Sequence, residues 1–188
     1  MSLEYSSLTS SELYRRTYKY DLWRGFFEGV LSSGIQTFAL FIAIRYYTAG
    51  EGLKSLIAAA PFIGMMLSLP LVHYTAGKGL KKSWCSAVPS VLASICLIVA
   101  AWIPSLEFYA LMITIGYVCR SVALPYLTSI YSDNYPHHKR GASFSKPLLL
   151  TVGASSLFGL AGSLLLEINI AYYSWVFTVV GICALAKA

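Results

Sequence analysis

The chain has 188 residues, is 57% hydrophobic and only 12% charged, and has a mean hydropathy of +0.64. Soluble domains carry about 25% charged residues, and one core of this size buries about 70% of the surface the unfolded chain exposes, so this composition excludes an ordinary soluble protein. The net charge of +6 does not point to nucleic acid, because the basic residues stand in short clusters between apolar runs and form no continuous face.

The opening residues are polar, carry Arg15, Arg16, Lys19 and Arg24, and lack the short apolar core of a secretory signal. They read as a cytoplasmic N-terminal segment, residues 1–24, ahead of a transmembrane domain over residues 25–188. Six runs there approach the roughly 20 apolar residues a spanning helix needs: about 25–47, 53–74, 84–103, 108–131, 147–166 and 168–186. The links are short, so neighbouring helices are expected to be antiparallel, and the fold class is an all-α membrane protein with six transmembrane helices in a bundle. Pro61, Pro70, Pro89 and Pro125 fall inside spans, where neighbouring helices or water must satisfy the carbonyls they free. In the fifth span Gly153, Gly159 and Gly162 let another helix approach closely. Cys85, Cys96, Cys119 and Cys183 lie inside apolar runs, with neither C-x-x-C spacing nor a histidine at ligand spacing, and read as small packing residues.

Lysine and arginine bias sets the direction. With the N-terminus in the cytoplasm, eleven of the fourteen basic residues fall on the inner side, Arg45 and Lys54 fall outside, and Arg120 lies within a span. The expectation is a multi-pass integral protein of the cell (inner) membrane with a cytoplasmic N-terminus.

Arg120, in "GYVCRSVALPY", lies twelve residues into the fourth span, roughly 18 Å deep at 1.5 Å per residue. A central arginine costs about 2.5–3.5 kcal/mol to insert, so a carboxylate, helix-end carbonyls or a wet cavity must offset it. It reads either as a structural tie between helices or as a group that binds a substrate anion. Glu28 lies one turn inside the first span and has two readings: a carboxylate paired with Arg24 at i, i+4, or a proton-coupling group. Gln36 lies about 17 Å into the same span, a depth matching that of Arg120, so the two would share a cavity if the first and fourth helices were neighbours. Tyr117 precedes Arg120 by three residues on one helix face.

No zinc-protease, nucleophile-elbow or phosphate-loop motif occurs, and no paired carboxylates stand at suitable spacing in a span. The expectation is no enzyme, no cofactor and no metal; His137 and His138 are adjacent and so point apart.

Two loops and one arginine carry a family resemblance. After the fourth span "YSDNYPHHKRG" places Asp133, Pro136, Arg140 and Gly141 as the major facilitator superfamily often does, and Arg120 is similar to the arginine that family often carries midway along its fourth span. The loop "HYTAGKGLKKS" resembles a degraded form of the family's signature loop, with Lys78, Lys81 and Lys82 at its basic positions. It departs from the pattern at His73, Gly77 and Leu80; Gly77 replaces the acid that helps latch the two halves of such transporters. The fifth span lacks the Gly-Pro motif of antiporters.

The resemblance implies the N-terminal six-helix half of a secondary active transporter that moves a small polar or anionic solute by alternating access, with a proton or another ion as the candidate coupling species. Its translocation path would hold Arg120, Gln36, Glu28 and Tyr117. Its cytoplasmic gating loops would hold Lys78, Lys81, Lys82, Asp133, Pro136, Arg140 and Gly141. The implied partners are the lipid bilayer, the solute and a second six-helix half, in the same longer chain or as a separate subunit. The alternative is a non-transporting membrane scaffold, assembly factor or sensor with a transporter-derived fold.

Overall fold

The structure, a computed structural model, describes residues 10–135 and 140–188. These residues are helical throughout, with no strand among them. Helix α1 (Ser10–Ser33) runs through a π-helical turn (Gly34–Phe38) into α2 (Ala39–Arg45), making one continuous rod. Then follow α3 (Glu51–Gly77), α4 (Lys82–Trp102), α5 (Leu106–Asn134), α6 (Arg140–Ile168), a single 3-10 turn (Ile170–Tyr172) and α7 (Tyr173–Ala186). Five of these, the rod and α3 to α6, are long and apolar enough to cross a membrane.

The first five expected spans fall on these helices, and the differences lie at the ends. The rod starts at Ser10, so most of the segment read as a polar tail is helix. The sixth run is broken at Asn169, whose side chain accepts from the Ala171 N–H. That leaves α7 only 14 residues, roughly 21 Å, short of the ~30 Å hydrocarbon thickness. Pro147 lies in the interior of α6 and not in a first turn.

Small residues set the packing. α1 lies parallel to α6: a Cβ on Gly25 would stand 2.8 Å from the Pro147 carbonyl oxygen, and one on Gly29 2.3 Å from that of Thr151. α3 lies parallel to α5 in the same manner, where a Cβ on Gly64 would meet Ser121 Cβ at 2.6 Å. α4 crosses α7 antiparallel, with Ser94 Oγ donating to the Gly181 carbonyl at 2.5 Å and Ile98 filling the space above Gly181. α4 also packs on α5, and α1 on α7. Exchanging the first three helices (rod, α3, α4) with the last three (α5, α6, α7) leaves this set of pairings unchanged.

The core lies where the rod, α4, α5 and α7 meet, around Ile35, Ile42, Leu97, Ile113 and Phe177. Coverage is uneven: 61% of the rod's apolar window is buried, against 22% for α3 and 11% for α6. Those two helices present long unpartnered apolar faces.

Candidate functional site

The rod and α5 run antiparallel in a register fixed by polar contacts. Asn134 Nδ2 donates to Thr17 Oγ1 (3.3 Å), Tyr131 Oη to Asp21 (2.6 Å), Arg120 to Glu28, Tyr117 Oη to the Ile35 carbonyl (2.7 Å) and Tyr109 Oη to the Ala39 carbonyl (3.0 Å). Apolar packing supplies the adhesion; these contacts choose which turn faces which.

Glu28 is the hub. Its Oε1 accepts from Arg120 Nη2 at 2.6 Å and Nε at 3.2 Å, and its Oε2 accepts from Lys187 Nζ at 2.5 Å. Arg24 Nη1 lies 3.9 Å away on the turn before. The Glu28, Arg120 and Lys187 side chains are 10%, 13% and 5% exposed, so the charges interact at low dielectric, where attraction and desolvation are both large. One heptad earlier on the same face, buried Asp21 accepts from Arg24, Tyr131 and Tyr135. Three cations thus face two carboxylates, a local excess of one positive charge.

Tyr135 lies beyond the end of α5. Burial pushes the Tyr135 phenol up, and Asp21 pushes it further, so Tyr135 stays a proton donor to that carboxylate. Among the described residues no buried side-chain nitrogen or oxygen lacks a partner. Arg120 spends Nε and Nη2 on Glu28 and makes no other bond among the described residues, so Nη1 is a spare donor that is not fully buried, beside a positive cluster.

Of the residues expected on a translocation path, the structure joins Arg120 to Glu28 and places Tyr117 one turn outward on the π-turn. Gln36 lies apart: it is exposed, and the register puts it beside Thr114, roughly 9 Å along the axis from Arg120. The sequence-based depths agreed only because the rod was started at residue 25. Glu28 does face Arg24 as i, i+4 spacing suggests, but at 3.9 Å that is its weakest contact.

The α3–α4 and α5–α6 loops form separate contacts. Lys82 Nζ meets Asp133 at 2.6 Å, tying the two family-like loops together. Lys78 donates to the Tyr74 hydroxyl and lies over its ring. Arg140 donates to the Ser132 carbonyl at 2.5 Å and the Tyr135 carbonyl at 3.1 Å, capping the end of α5. Gly141 has open space around it, Lys81 is exposed, and Pro136 lies outside the described residues. Asp21, Tyr131, Tyr135 and Lys187 belong to the site and escaped the sequence reading. Asp21, Arg24 and Glu28, spaced i, i+3, i+7 on one face, were the available signal. No group of three or more His, Cys, Asp or Glu that could hold a metal occurs among the described residues.

Compared with protein-family models, curated proteins and solved structures, the chain matches none.

Proposed function

We propose that this chain forms a six-helix half of a secondary active transporter of the major facilitator type, embedded in the cell membrane with its N-terminus in the cytoplasm. In this reading it moves a small polar or anionic solute by alternating access. The observation that carries it is the pairing of helices, unchanged when the first three are exchanged for the last three. Consecutive helices alternate in direction, so the exchange is an inverted one, and inverted three-helix repeats are how each half of such transporters is built. The rod and α5 are equivalent under that exchange, and Glu28–Arg120 joins them. Ionisable groups inside a bundle mark solute and proton paths.

Arg120 is the anion-facing group: Glu28 orients its guanidinium, and Nη1 is left for the solute. Glu28 shifts between Arg120 and Lys187 as solute takes over the guanidinium. The uncovered faces of α3 and α6 receive the second half. The test is uptake into vesicles by the complete protein. Arg120→Ala is expected to abolish uptake, and undiminished transport across candidate solutes overturns the site. The non-transporting alternative draws on Gly77 standing where the latch acid belongs; a reading frame without a second set of six spans favours it.

A further inference from the structure

The inner ends of α3 and α4 part to leave a cleft of about 520 Å³, floored by α5. Its shape follows from a local signal. α3 ends in a Schellman turn: Gly79 is left-handed at φ 62°, its N–H bonds the Ala76 carbonyl, and the Leu80 N–H bonds the Thr75 carbonyl. That turn folds Leu80 and Lys81 back beside Trp84. Leu71, Leu80, Trp84 and Val88 form the walls, and Val122 and Tyr126 the floor. A second hollow of about 370 Å³ continues from it past Leu80 and Tyr126.

The interior is largely apolar, and its two hydroxyls are engaged with each other. Thr75 Oγ1 and Tyr126 Oη bond each other at 2.9 Å, and Thr75 also reaches back to the Leu71 carbonyl. An apolar chain fits here and a polar solute does not. The rim is the opposite. Lys78, Lys81 and Lys82 stand on it, and no carboxylate occurs between residues 75 and 90. Lys82 is engaged by Asp133 and Lys78 by Tyr74, while the Lys81 side chain is exposed and makes neither a hydrogen bond nor an ion pair among the described residues. Trp84, 68% exposed, stands between rim and wall, the level at which indole rings settle in a bilayer interface.

From this pairing of an apolar cleft with an unpaired cation at its mouth, we infer that the α3–α4 cleft is a site for one anionic phospholipid, its acyl chain between Leu80 and Val88 and its phosphate on Lys81. The site lies on a different face of α5 from Glu28 and Arg120. It rests on the chain lying in a bilayer and does not depend on transport.

The experiment uses the full protein in vesicles with Trp23, Trp102, Trp175 and any tryptophan outside these 188 residues changed to Phe, leaving Trp84 as the reporter. Brominated phosphatidylglycerol is expected to quench Trp84 more than brominated phosphatidylcholine at equal mole fraction. Lys81→Gln is expected to weaken that preference about fivefold, the effect of one lysine at an anionic surface. A reporter with Trp102 alone, at the opposite end of α4, is expected to show no preference. Equal quenching of Trp84 by the two lipids overturns the site, and a preference unchanged in Lys81→Gln overturns its assignment to that lysine. Loss of the preference on adding millimolar inorganic phosphate shows a free-anion site and also overturns it. If the single-tryptophan variant does not fold, native mass spectrometry of the otherwise unaltered protein decides. It is expected to retain one phosphatidylglycerol that Lys81→Gln releases, and retention equal to that of phosphatidylcholine refutes the site.

Discussion

At the scale of the residue, Glu28 is held from two sides by buried cations. It compensates two cations that reach it from 92 and 159 residues away, in a place where neither could remain alone. Removing one partner of a buried ion pair typically costs 3–5 kcal/mol, because the penalty is the charge left behind. Glu28→Gln is therefore expected to destabilise the protein by about that amount in a thermal or denaturant titration in micelles. Lys187→Gln leaves the Arg120–Glu28 pair intact, so its cost is smaller. Equal losses from the two substitutions would mean that Glu28 is not the shared partner. Some of this was legible. A carboxylate and an arginine inside apolar runs announce that each needs a counter-charge, and their existence is the robust part of the reading. Their pairing was not legible. Depth along two helices fixes one coordinate, whereas contact also needs the rotation about each axis, and Gln36 stands roughly 80° around the helix from Glu28 at 100° per residue. An error in where the rod begins then shifted even the depth.

At the scale of the element, the π-turn at Gly34–Phe38 is the departure from regular helix that matters. A π-turn widens the helix and leaves a carbonyl without its usual partner. Here α5 supplies the donors: Tyr117 bonds the Ile35 carbonyl within the turn, and Tyr109 the Ala39 carbonyl just beyond it. Gly34 lets α7 pack closely against the turn, since a Cβ there would come within 2.3 Å of Val180 Cγ2. Tyr117 is thus a positioning residue for the rod as well as a neighbour of Arg120. Tyr117→Phe keeps the ring and removes the donor, leaving a buried carbonyl at a cost of about 1–3 kcal/mol. The expected result is a loss of stability in that range, with faster amide exchange confined to residues 34–39. Exchange unchanged across the turn would show that the hydroxyl does not hold it. Long apolar runs made the five spanning-length helices readable. The π-turn has no comparable signal: "SSGIQTF" reads only as an unusually polar stretch of helix, and the donor that meets its carbonyl comes from a tyrosine 82 positions on.

At the scale of the whole molecule, the distribution of charge and the lengths of the helices make a statement about direction. In the proposed orientation the outer ends carry Arg45 and Lys54 alone among the basic residues, while the inner loops hold Lys78, Lys81, Lys82 and Arg140. Aromatic rings cluster at the outer end, where Tyr46, Tyr47, Tyr109 and Tyr173 pack together and Tyr47 Oη bonds Tyr173 Oη at 2.8 Å. Measured inward from Arg45, Glu28 lies roughly 26 Å down the rod, so the ion cluster belongs to the inner part of a ~30 Å core, and the short α7 delivers Lys187 to that depth. Two glycines allow a direct check of the direction. Gly50 and Gly77 lie at opposite ends of α3, each with open space where a Cβ would stand and neither with a positive φ, so cysteine fits at both without strain. With Cys85, Cys96, Cys119 and Cys183 changed to alanine, Gly50→Cys is expected to react with an impermeant maleimide on intact cells. Gly77→Cys is expected to react only after permeabilisation. The reverse pattern would turn the bundle over, put the lysine-rimmed cleft in the outer leaflet and move the Glu28 cluster to the outer mouth. The same pattern at both positions would deny that α3 crosses the membrane at all, and with it the pairing of α3 and α5 as parallel spanning helices on which the inverted-repeat argument depends.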